Sequence, residues 1–113
     1  MDRTGVIARL RERAREVLVR RPDVVAVRLF GSLGRGDARP GSDADLYVVI
    51  RDGAGPFLTR LADLAREFSG IGIGCDVIAF TESESRASRD GGGAFARAVF
   101  DEGWPLAERE RGS

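Results

Sequence analysis

The chain has 113 residues, with 18 basic and 18 acidic side chains, 42% apolar and 32% charged. Those values are typical of an ordinary globular protein that removes roughly two-thirds of its unfolded surface from water, and the balanced charge gives no argument for nucleic-acid binding. Neither histidine nor lysine occurs anywhere, which excludes a Ser-His-Asp triad, a zinc-protease helix, a Walker A loop and a Schiff-base lysine; any catalysis must therefore run on carboxylates, most naturally with a metal ion.

Val6, Ile7, Leu10, Ala14, Val17 and Leu18 recur at spacings of three and four, predicting an amphipathic helix over 3–20 that stops at Arg21-Pro22-Asp23. Its arginines are expected on the solvated side, with an acidic partner as the alternative. Val24 to Phe30 is short and β-branched, a buried strand. A glycine- and serine-rich loop follows, shaped by Gly34, Gly36, Pro40 and Gly41, and Leu46 to Ile50 is a second interior strand. After a turn at Arg51–Pro56, residues Phe57, Leu58, Leu61, Leu64, Ala65 and Phe68 form another helical stripe, with Pro56 near its first turn.

Residues 71–80 predict a third strand, loosened by Gly72 and Gly74; 81–93 predict a loop with at most a helical turn; 94–102 predict a last helix stopped by Gly103, before Trp104-Pro105-Leu106 and a charged tail. This order describes one small α/β domain over residues 1–113, its strands in a single sheet. No apolar run approaches the roughly 20 residues that span a bilayer, and arginines from Arg3 to Arg15 interrupt any signal-peptide core. A cytoplasmic protein with no membrane partner is expected. The single Cys75 provides neither an intrachain disulfide nor a cysteine zinc site.

Asp43 and Asp45, separated by one alanine at the entrance of a strand, project to the same face with Cα atoms roughly 6–7 Å apart. Two ionised carboxylates at that separation repel by roughly 3 kcal/mol at an effective dielectric near 20. A hard divalent cation reverses the sign; without one, Asp43 caps a turn and Asp45 is merely solvated. Asp76 sits within the apolar run Cys75–Phe80, where an unpaired carboxylate costs several kcal/mol. It either converges with the other two acids or pairs with an arginine. Three acids on one face can hold two metal ions for in-line phosphoryl or nucleotidyl transfer. Gly31 allows close approach of backbone to a ligand, Ser32 offers a hydroxyl to phosphate oxygens, and Arg35 and Arg39 offer charge-assisted contacts. The stretch Gly70–Gly74 precedes a strand and so fails as a dinucleotide motif.

Gly31-Ser32, then Asp43-Ala44-Asp45, then a later strand bearing Asp76, resembles the signature of the DNA polymerase β-like nucleotidyltransferase superfamily. The form "GS…G…SDADLYVVI", the short length and the ending "FARAVFDEGWPL" resemble its minimal nucleotidyltransferase (MNT) branch. The resemblance implies a mixed sheet flanked by helices, Mg²⁺ (two ions) as cofactor and ATP or another nucleoside triphosphate as donor. It implies nucleotide binding by Gly31, Ser32, Arg35 and Ser42. Asp43 and Asp45 are implied as metal ligands; Asp76 completes the catalytic metal site and accepts the hydroxyl proton. Leu33 stands where the family has alanine. Minimal members often accompany HEPN-domain toxins as antitoxins, and some adenylylate a tyrosine of the toxin. Transfer of AMP to a protein hydroxyl is the implied activity. An antitoxin that acts by occlusion alone, or a transferase acting on a small molecule or RNA, are the alternatives.

Overall fold

A computed structural model describes residues 2–39, 41–53 and 57–109. Pro40 and Pro56, the side chains of Phe57 and Leu58, and residues 110–113 of the charged tail lie outside the described residues. Helix α1 (Arg3–Arg20) begins where the Asp2 carboxylate accepts the Gly5 N–H, and it buries Val6, Leu10, Ala14 and Val17. There follow β1 (Val24–Phe30), α2 (Gly31–Arg35), β2 (Ala44–Ile50), α3 (Phe57–Glu67), β3 (Cys75–Thr81) and α4 (Glu82–Gly91). The three-residue α5 (Ala94–Ala96) runs into a π-helical turn (Arg97–Asp101), and β4 (Trp104–Glu108) closes the fold.

The sheet order is β3-β2-β1-β4. β1 is antiparallel to both β2 and β4, whereas β2 and β3 run parallel, joined by α3. Period-two alternation along β2 divides the molecule into two layers. Ala44, Leu46, Val48 and Ile50 pack with α1 and with Leu64 and Phe68 of the α3 region. Tyr47 and Val49 turn to the other face, against Phe80, Val99 and Phe100. Among the described residues, no helix is long and apolar enough to cross a membrane.

The structure differs from the sequence-based expectation in five places. Residues 31–35 are helical rather than loop, and β2 starts two residues earlier, so Asp45 lies within it. β3 starts at Cys75, after bends at 71–73. Residues 82–91 form α4, started by a capping box: Thr81 Oγ1 accepts the Glu84 N–H while the Glu84 carboxylate accepts that of Thr81. Trp104–Glu108 is a strand, and its Pro105 is tolerated because β4 is an edge.

Most arginines of α1 lie on the solvated side as expected, with Arg3, Arg9, Arg15 and Arg20 exposed, but some also bond to neighbouring backbone. Arg13 donates to the carbonyls of Glu67 and Ser69, both at 2.8 Å, and Arg9 to that of Ile71 at 3.1 Å. They satisfy the carbonyl of the last residue of α3 and two carbonyls of the segment between α3 and β3. Arg28 of β1 is buried, and its guanidinium donates to the carbonyls of Val99, Phe100 and Gly103.

Candidate active site

The parallel register of β2 and β3 makes Asp45 and Asp76 direct neighbours, while the antiparallel register of β1 and β2 sets Phe30 on the other flank of Asp45. Asp43 precedes β2 by one residue and projects with Asp45. The Ala44 N–H donates to the Gly74 carbonyl at 2.8 Å, which extends the strand pairing back to the level of Asp43. The three sequence-predicted acids thus share one sheet face. Among the described residues none of them has an ion-pair partner.

Asp76 is exposed, which corrects the expectation of a carboxylate inside an apolar core. β3 is an edge strand, so the apolar run Cys75–Phe80 leaves the start of that strand open to water. Asp43 is exposed and Asp45 half-buried. Burial, then the neighbouring charges of Asp76 and Asp43, push the Asp45 carboxyl above its ordinary value, and Arg35 partly offsets them. Burial, reinforced by Asp43 and Asp76, pushes the Cys75 thiol up to about 11.

Two glycines make room for the acids. Gly31 has φ +74°, and a Cβ built on it would collide with the Asp45 carboxylate, whose Cγ is 3.0 Å away. Gly31 is therefore required twice, by its left-handed backbone and by the carboxylate lying over it. Gly74 plays the matching part for Asp43, whose Cγ lies 3.1 Å from the Cβ position.

Ser32 is the second residue of α2; its carbonyl accepts from the N–H groups of Gly36 and Asp37 at 3.0 Å. Arg35 acts electrostatically on Asp45 while its Nε donates to Asp37 at 3.3 Å. Ser42 acts within its own turn, where its hydroxyl oxygen accepts the Arg39 N–H at 3.1 Å and closes the loop that delivers Asp43. Arg39 itself is exposed.

Sequence reasoning missed the residues that fix α2. Arg3 donates to the carbonyls of Leu33 and Gly34 at 3.0 and 3.2 Å, and Trp104 Nε1 donates to that of Gly34 at 3.1 Å. A short helix with two internal glycines has little stability of its own; these long-range donors hold it in place. No local pattern announces such contacts. Gly74 carried a signal of proximity, two residues before Asp76, but in sequence it reads only as a weak point of the strand.

The donor set suits Mg²⁺: hard carboxylate oxygens, unpaired and partly open to water, with glycine backbone against two of them. Among the described residues no three acidic, histidine or cysteine side chains converge to ligating distance. Asp43, Asp45 and Asp76 are the residues that would hold the ion.

Gly74→Ala isolates the placement of Asp43. The backbone at Gly74 is not left-handed, so the new methyl meets only the end of a movable side chain. The unfolding free energy of the apo protein should stay within about 0.5 kcal/mol of the parent, the usual range away from core features. If Mg²⁺ with ATP raises the midpoint of the parent, that rise should shrink by at least half in the variant, as measured by thermal denaturation. An undiminished rise would mean that Asp43 need not lie where it does.

Residues 12–109 match the family described as "Polymerase beta, Nucleotidyltransferase". The fold is similar to the crystal structure of a Sulfolobus solfataricus protein described as a "putative nucleotidyltransferase", with a TM-score of 0.69 and 23% identity over 97% of this chain and 86% of that one. No curated protein matches. The four-stranded mixed sheet flanked by helices is the polymerase β-like nucleotidyltransferase fold. With the matched region spanning all three carboxylates and the Gly31-Ser32 turn, the chain belongs to the polymerase beta nucleotidyltransferase family.

Proposed function

We propose that this chain is a Mg²⁺-dependent nucleotidyltransferase of the minimal type, which moves AMP from ATP to a hydroxyl of a partner protein as the antitoxin of a HEPN-toxin pair. The observation that carries the catalytic part is the cross-strand placement of Asp45 beside Asp76, with Asp43 on the same face. The partner assignment rests on the sequence resemblance to the minimal branch.

Two Mg²⁺ ions held by Asp43, Asp45 and Asp76 would supply charge neutralisation at the α-phosphate and the leaving pyrophosphate. Gly31, Ser32 and Arg35 hold the phosphates, and Ser42 keeps the loop closed beneath them. The acceptor oxygen bonds to the α-phosphorus as the bond from that phosphorus to the bridging β-phosphate oxygen breaks, and pyrophosphate leaves. The hydroxyl proton passes to Asp76, whose exposure lets it exchange with water.

Incubating the chain and its partner with ATP and Mg²⁺, then weighing the partner by mass spectrometry, tests this. A gain of one or more AMP units, abolished by chelator, is expected. Tight association without a mass change would assign inhibition by occlusion instead. A gain on RNA or a small molecule, with none on protein, would replace the acceptor and keep the chemistry.

A further inference from the structure

Five of the eight aromatic side chains (six Phe, one Tyr and one Trp in all) gather on the sheet face that carries the acids: Phe30, Tyr47, Phe80, Phe95 and Phe100. Tyr47 is fully buried at their centre, with the Phe80 and Phe100 rings 5.1 and 5.5 Å away. Phe95 differs from the others. It is 41% exposed, and among the described residues only Val19, on α1, joins it as an exposed large apolar side chain. Its ring lies within 24° of parallel to that of Phe80 at 6.1 Å, and meets Phe30 edge-on at 5.9 Å. The ring is thus braced by two aromatic neighbours while much of its surface faces water. Gly93, at φ +97°, makes the reversal after α4 that returns Phe95 to the sheet.

The position of this ring matters as much as its exposure. Phe30 is the cross-strand partner of Asp45, and Tyr47, whose ring is 6.2 Å from that of Phe95, lies two places along β2 from Asp45. A strand advances roughly 3.3 Å per residue, so the aromatic face begins where the carboxylates end. A nucleotide is a molecule with the same polarity: phosphates at one end, a flat apolar-faced base at the other.

We propose that Phe95 is the stacking platform for the nucleobase of the donor nucleotide, braced by Phe30 and Phe80. The assignment rests on the reading of Asp43, Asp45 and Asp76 as the phosphate and metal end of the site. Recognition through a π-face selects by ring area and not by hydrogen-bond pattern, because every base has such a face. Purine nucleotides therefore bind more tightly than pyrimidine nucleotides, with little difference between adenine and guanine.

Calorimetric titration of the full chain with ATP, UTP and inorganic tripolyphosphate, each with Mg²⁺, tests the platform. Phe95→Ala should weaken ATP about tenfold, the scale of one base–aromatic stack, and leave tripolyphosphate unchanged. Phe95→Leu, which keeps the bulk of the cluster, should lie between, and Phe95→Trp should hold or improve ATP binding. Equal ATP affinity in parent, Phe95→Ala and Phe95→Leu would overturn the proposal and leave Phe95 as a contact for a partner protein. Parallel loss of ATP and tripolyphosphate in both variants would overturn it too, as damage to the fold. If tripolyphosphate fails to bind the parent and Asp45→Asn leaves ATP binding intact, the underlying reading of the acids falls, and the platform with it.

Discussion

Asp45→Asn should abolish nucleotidyl transfer, by about a thousandfold or more given the scale of losing a principal electrostatic group, while the apo protein unfolds at the same or a higher temperature. The carboxylate is half-buried against Gly31 and repelled by Asp76 and Asp43, so an uncharged isostere removes a strain along with a ligand. Mg²⁺ with ATP should raise the unfolding midpoint of the parent but not of this variant, because such a rise reflects binding to the folded state alone. Asp52→Asn is the control. It disturbs contacts to the Ser83 N–H and hydroxyl at the start of α4, yet should keep the ligand-induced rise. Asp37 is a poorer control, since it holds Arg35, which acts on Asp45.

The pH dependence fixes the sign. In the folded chain Asp45 titrates above its ordinary value, so the native state binds more protons than the unfolded one in the window between the two pKa values. Its unfavourable contribution is fully present above the folded pKa and relieved as pH falls through it. The stability advantage of Asp45→Asn over the parent should therefore be visible at pH 7 and vanish on acidification towards pH 4. The effect is small, because the group is partly solvated. A variant that still transfers AMP, or an advantage that grows on acidification, would sink the assignment of Asp45.

Arg28→Ala should give the largest loss of stability of any single change outside the apolar core, about 3 kcal/mol or more, lowering the unfolding midpoint by roughly 10–20 °C. Arg28 Nε donates to the Val99 carbonyl at 3.1 Å and Nη2 to that of Gly103 at 3.2 Å, with the Phe100 ring 5.6 Å from the guanidinium. Burial holds its pKa below the usual arginine value, against the opposing pull of Glu108. Truncation removes this donor from the carbonyls of Val99, Phe100 and Gly103, and each buried acceptor so orphaned costs about 1–3 kcal/mol. Arg28→Lys should recover little, because one ammonium cannot reproduce the spread of a planar fork. Below its melting temperature Arg28→Ala should retain transfer activity, since the residue touches neither the acids nor α2. Denaturant unfolding checks the first claim, and a loss under about 1 kcal/mol would contradict it.

The elements with a clear period were legible in the sequence. The stripe from Val6 to Leu18 gave α1 to the residue, and the apolar runs ending at Phe30 and Ile50 gave two strands of the sheet. The elements that escaped are those that owe their form to distant partners. Gly31, Gly34 and Gly36 argue locally for a loop, and α2 is helical because Arg3 and Trp104 take up its carbonyls. Pro105 argues against a strand, and only an edge position admits it. α4 has no buried residue and hence no apolar stripe, but the run Thr81-Glu82-Ser83-Glu84 is a capping box written in the sequence and could have been read. As to the site, the residue types of Asp43, Asp45 and Asp76 were plain. Their convergence depended on a parallel register, Asp45 opposite Asp76, which no local pattern encodes. The exposure of Asp76 followed from edge position, another property of the whole sheet.

The anchoring of α2 by Trp104 has a consequence for the order in which a growing chain acquires its site. The central strand β1 is among the first segments made, yet its outer partner β4 and the indole that secures Gly34 arrive seventy residues later. Contacts of such sequence separation form slowly, after much loop entropy has been surrendered. On the ribosome the paired carboxylates of β2 and β3 can be set while the turn that faces them is still loose. Completion of the α2 anchor is therefore a late event of synthesis, since it waits for Trp104.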